Sequence, residues 1–123
     1  MISLMRDHTK LRAFELADQL ALLVYKQSSN FPREEALGLT SQIRRSAVSV
    51  ASNIVEGCAR NSLSDYIRLL DIAYGSAREL EYQISLALRL GFLAEESELP
   101  ALATETSKVL SGLIRSLRSK TAK

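Results

Sequence analysis

The sequence predicts an all-α domain, an antiparallel up-down-up-down four-helix bundle, and three observations predict it. Only 5 Gly and 2 Pro interrupt 123 residues, of which 46% are hydrophobic and 24% charged, the balance of a compact helical chain. Apolar residues recur with the helical period in four stretches. Two of the three joins between those stretches are short, so consecutive helices become antiparallel neighbours. At this length a single core is expected, and no second domain.

Taken in order, residues 1–10 read as a flexible N-terminal arm, 11–118 as the bundle and 119–123 as a basic C-terminal tail. Helix one runs from Leu11 to Ser28, with Phe14, Ala17, Leu20, Ala21, Val24 and Tyr25 facing inward. Leu16 and Leu23 widen that face beyond what one core needs, which implies a second partner. Phe31-Pro32 then breaks the helix, since proline disfavours helical backbone before it, and Phe31 plugs one end of the bundle. Thr40 is the expected cap of helix two, and Gly57 its end. Along helix two, Ile43, Ala47, Val50, Ile54 and Cys58 share the inner side, whereas Gln42, Arg45, Ser49, Ser52 and Glu56 lie outside.

Ser62 opens helix three in a capping-box-like Ser-Leu-Ser-Asp, and the helix runs to about Leu90, before Gly91. Its main face includes Tyr66, Ile67, Leu70, Ala73, Ala77, Leu80 and Ile84; Ile72, Leu86 and Leu90 form a thinner apolar line behind it. Gly75 and Ser76 weaken a helix unless something packs on them. Helix four starts near Ser97, with Pro100 in its first turn, and carries one stripe from Leu99 to Leu117.

Chemistry-bearing residues are few. The single His8 lies in the arm, the helical Glu-x-x-His metal signature is absent, and there is no Gly-rich phosphate loop. Neither an enzyme nor a metal or cofactor is expected. A lone Cys58 on an apolar face reads as a buried small hydrophobe, and one thiol fits a reducing compartment, the cytoplasm. No stretch has the length and apolarity of a membrane span, and no membrane partner is expected.

Two charges interrupt apolar arcs: Arg44 among Val48, Ala51 and Val55, and Glu81 within the main face of helix three. Folding helices two and three back near Asn61 brings them level, so a structural ion pair is expected. The formal charge of +2 does not by itself identify a nucleic-acid binder, so distribution must decide. Arg12, Arg33, Arg45, Arg60, Arg68 and Arg78 are candidate phosphate contacts, strengthened if several copies form a ring. The basic C-terminal stretch, from Arg115 to Lys123, is more simply read as cations at a helix C-terminus.

Several of these residues form an ordered series: Phe31-Pro32 with Glu34 or Glu35, Gly38 through Arg45, Ser49-Val50, Ser52 through Gly57, Gly75-Ser76 and Glu79-Leu80-Glu81. From Leu11 to Leu117 the chain resembles the four-helix-bundle proteins encoded in 23S ribosomal RNA intervening sequences. It differs in having Ala51 where the pattern usually carries proline and Phe14 where an aromatic, often Trp, sits. The resemblance implies a homopentameric ring. It further implies, through related accessory proteins of diversity-generating retroelements, binding to nucleic acid and to a nucleic-acid-processing protein. The expected function is therefore a non-enzymatic homo-oligomeric accessory that binds RNA or ribonucleoprotein; the alternative is a structural or protein-partner scaffold with no nucleic-acid role.

Overall fold

The computed structural model describes residues 6–121. It contains four long helices: α1 (Arg12–Ser28), α2 (Leu39–Cys58), α3 (Leu63–Arg89) and α4 (Leu99–Thr121). Single 3-10 turns at His8–Lys10 and Arg33–Glu35 precede α1 and α2. Each of α1 and α3 packs on both α2 and α4, with α1 and α3 facing across the diagonal. Side-chain links fix the directions. Ser49 meets Ser76 and Gly57 lies against Tyr66, so α2 and α3 are antiparallel; Glu81 with Ser107 and Asp71 with Arg118 make α3 and α4 antiparallel. On the remaining faces, Arg12–Glu105 and Ser97–Gln27 do the same for α1 and α4.

The helix ends follow from local chemistry. The Ser62 hydroxyl accepts from the Asp65 amide at 3.1 Å, as its spacing predicts, and Ser97 accepts from the Leu99 amide at 3.1 Å to start α4. Helix α2 begins one residue earlier than Thr40, and its cap is not a hydroxyl. The Glu35 carboxylate reaches forward from the 3-10 turn to accept from the Leu39 amide at 3.0 Å. Gly38 leaves room for it, because a β-carbon there would sit 2.9 Å from the Glu35 oxygen. At the far end of α3 the chain turns through Gly91 with φ 81°, a left-handed conformation that glycine adopts without strain.

The core has two halves. One gathers Ala17, Val50, Ile54, Tyr66, Leu70, Leu110 and Ile114; the other gathers Leu20, Val24, Ile43, Leu80, Ile84 and Leu99, and is closed by Phe31, whose ring packs tilted against Phe92 at 5.6 Å. All five inner positions expected on α2 are buried. The wide face expected on α1 is differently used. Leu16 is buried within the monomer and Leu23 is half-buried, while the exposed apolar side chains of that helix are Leu22, at 67%, and Tyr25, at 46%. On α3, Ile72 and Tyr82 are exposed, as is Leu90 just past its end.

The start of the described chain is not a loose arm. From Arg6 onward it is docked: the Arg6 amide donates to the Cys58 carbonyl at 3.1 Å, and its guanidinium lies 4.1 Å over the Tyr66 ring. Residues 1–5 of the expected arm lie outside the described residues. Residues 119–121 of the expected tail are the last turn of α4, and 122 and 123 lie outside the described residues. Among the described residues, no helix is long and apolar enough to cross a membrane, and no group of three metal-ligating side chains occurs.

Candidate functional site

The Arg44–Glu81 ion pair is not formed. Their levels agree with expectation, but each lies five residues from the serine of its helix that touches across the α2–α3 seam, about 140° round the helix. They are therefore turned away from the seam, in opposite directions. Arg44 points to α1, where its guanidinium lies 4.6 Å over the Tyr25 ring and donates to the Ser28 hydroxyl at 2.8 Å. Glu81 points to α4, accepting from the Ser107 hydroxyl and pairing with Arg78 at 3.4 Å.

Four of the six candidate phosphate contacts are engaged by carboxylates. Arg12 reaches Glu15 and Glu105, Arg60 reaches Glu56, Arg68 reaches Asp65 and Arg78 reaches Glu81. Only Arg33 and Arg45, among the six, have no side-chain hydrogen-bond or ion-pair partner among the described residues. Arg33 stands in the 3-10 turn before α2, and Arg45 on the outer strip of α2. The six do not form one patch, because they are distributed over α1, α2, α3 and the two connections.

Two grooves instead gather polar side chains, one on each flank of α3. Between α3 and α4, a groove of about 440 Å³ is lined by Tyr74, Arg78, Glu81, Thr104, Ser107, Lys108, Ser111 and Arg115. Three cations there outnumber one carboxylate. Tyr74 accepts from the Arg78 guanidinium at 3.1 Å; that bond, and to a lesser extent Glu81, raises the Arg78 pKa above its ordinary value. Lys108 and Arg115 lie seven residues apart, two turns along one face of α4. Sequence reading missed this site because Lys108 is a lone cation between hydroxyl and apolar residues, and Arg115 reads as part of the basic helix end. The seven-residue spacing was the available signal.

Between α2 and α3, a second groove of about 280 Å³ is lined by Gln42, Arg45, Ser46, Ser49, Ser76, Glu79 and Gln83. Its floor is hydrogen-bonded: the Ser49 and Ser76 hydroxyls are 2.8 Å apart, and the Asn53 amide donates to the Ser49 carbonyl at 2.9 Å and hydroxyl at 3.1 Å. Gln83 is 4% exposed; its amide nitrogen makes only a long contact of 3.4 Å to Glu79, and its carbonyl oxygen has no partner. Serines 46 and 76 thus line a groove, where an amphipathic pattern reads them merely as small residues.

The other perturbed groups lie away from both grooves. Burial pushes the Tyr66 phenol up to about 12, with Cys58 adding to the rise, and burial likewise raises the Cys58 thiol. Both are buried in the same half of the core.

Residues 9–112 match the family described as 23S rRNA-intervening sequence protein. The chain belongs to that family. Among solved structures, this 23S rRNA-intervening sequence family member is similar to a protein of unknown function from the S23 ribosomal protein family of Bacteroides thetaiotaomicron. That likeness has a TM-score of 0.76 at 26% identity, covering 84% of this chain and 95% of the other. No curated protein matches.

Proposed function

We propose that this family member is a non-enzymatic, homo-oligomeric accessory that binds RNA or a ribonucleoprotein, and that the α3–α4 groove supplies its phosphate contacts. The single observation that carries the reading is the gathering of Arg78, Lys108 and Arg115 around hydroxyls with only Glu81 to oppose them. Guanidinium and ammonium donors beside Ser and Thr hydroxyls are the groups that position a phosphate backbone. Repetition of the groove in a ring, the pentamer of the family resemblance, would raise the local potential at unchanged charge per chain. Catalysis has no part in the reading, because Cys58 and Tyr66 are buried in the core and line neither groove.

The test is electrophoretic mobility with a structured RNA over a salt series. Affinity should fall linearly in log salt, with a slope of about 0.9 per phosphate contact on duplex DNA and somewhat less on single strands. Lys108→Ala with Arg115→Ala should lower that slope by about two contacts. No shift at low salt would overturn the reading. A protein-partner scaffold is the second reading, favoured by exposed Leu22, Tyr25 and Val48 along the α1–α2 flank.

A further inference from the structure

We propose that the α2–α3 groove is a base-recognition site that takes the Watson–Crick edge of an unpaired guanine. The groove presents opposite needs on its two sides. On α2, Arg45 is a donor with no partner among the described residues; on α3, the Glu79 carboxylate and the Gln83 carbonyl are acceptors, the latter buried and without any hydrogen bond. An occupant complementary to both sides offers an acceptor to one helix and at least two adjacent donors to the other. A phosphate fails this requirement, because it brings no donors to Glu79 and would repel it. A bare ammonium fails it as well, because it leaves Arg45 facing a cation.

Guanine meets it. Its N1–H and N2 amine donate side by side, the geometry that a carboxylate accepts in two bonds, and its O6 accepts from a guanidinium. The second hydrogen of the N2 amine is available to the Gln83 carbonyl, whose terminal amide torsion is broad enough to turn it toward the groove. Adenine presents the wrong pattern, an acceptor at N1 facing the carboxylate. The Ser49–Ser76 hydroxyl pair closes the floor, and the groove volume of about 280 Å³ holds a single base. No aromatic ring lines it, so recognition is by the base edge and not by stacking. The guanine can come from single-stranded RNA or from a free nucleotide; only the first source rests on the RNA-binding reading above.

The experiment uses the full chain and two sets of probes: guanosine, inosine and adenosine 5′-monophosphates by calorimetry, and a labelled oligouridine carrying one central G, I or A by fluorescence anisotropy. Guanine should bind about tenfold or more tighter than adenine, the discrimination of one bidentate base contact, with inosine in between because it lacks the N2 amine. Glu79→Gln should abolish the preference at an unchanged melting temperature, since Glu79 is exposed. Preference in the oligonucleotide series alone assigns the source as RNA; preference in both series assigns the base itself. Preference for the mononucleotide with no RNA binding at all upholds this site and overturns the nucleic-acid reading. RNA binding that does not distinguish G from A overturns this site and leaves the α3–α4 groove standing. A guanine preference that survives Glu79→Gln also overturns it, as does the absence of any binding.

Discussion

Arg44 and Tyr66 show how much of a buried-looking residue depends on direction. Arg44 is held by a ring face and a hydroxyl rather than by a carboxylate, so Arg44→Ala should cost about 1 to 2 kcal/mol. Paired with Glu81→Ala in a double-mutant cycle, it should show coupling within about 0.5 kcal/mol, because the two share no partner. Chemical denaturation of the four proteins checks this. Tyr66 carries a pH prediction. Its folded pKa, pushed up to about 12, lies above the ordinary 10.0, so the folded chain keeps a proton that the unfolded chain releases. The contribution is present below about pH 10 and is lost as pH rises toward 12. Tyrosinate absorbance should show one of the 4 tyrosines titrating late, together with alkaline unfolding, and Tyr66→Phe should remove that late step.

At the scale of elements, the two helical glycines of α2 and α3 make opposite predictions. Nothing lies within 4 Å of a β-carbon built at Gly75, on the exposed side of α3. Gly75→Ala should stabilise the monomer fold by about 0.5 to 1 kcal/mol through helix propensity alone. At Gly57 the same atom would meet the Tyr66 ring at 3.2 Å and the Leu69 β-carbon at 3.3 Å. Leu69 Cβ is fixed to the α3 backbone, so the helices must part and Gly57→Ala should lower the melting temperature. Glu35→Ala should cost about 1 kcal/mol, the value of a lost helix cap, with helical content at the start of α2 read by amide exchange. Helix existence, order and inner faces were legible in the sequence because burial imposes a period. The Glu35 cap was not, because a carboxylate reaching forward from a 3-10 turn lacks the short side-chain signature of Ser or Thr. The groove serines were equally hidden, since spacing alone does not say that Ser49 and Ser76 meet.

For the whole molecule, the exposed apolar side chains of the helices fall into two regions, and Leu37 is exposed in the connection before α2. Leu22 lies one turn before Tyr25 on α1, and Val48 one turn after the Arg44 that covers that ring; Ile72 and Tyr82 lie on α3 and Leu90 just past its end. Oligomerisation, as proposed, would cover at least the first region. Light scattering at micromolar concentration should then give a mass several times the 13.6 kDa of one chain, and Val48→Glu should reduce it without unfolding the bundle. A single-chain mass for the unaltered protein would remove the ring, and the α3–α4 groove would have to act alone.

The amino-acid order by itself determined four amphipathic helices, their up-down sequence, most inner residues and the level at which helices pass one another, since each follows from periodicity, capping and link length. The tertiary structure decided which way the off-pattern charges point and which cations are already paired. It also decided that polar side chains from separate helices gather in two grooves flanking α3. Those outcomes depend on the rotation of one helix against another, a quantity set by packing of the entire core and carried by no single stretch of chain.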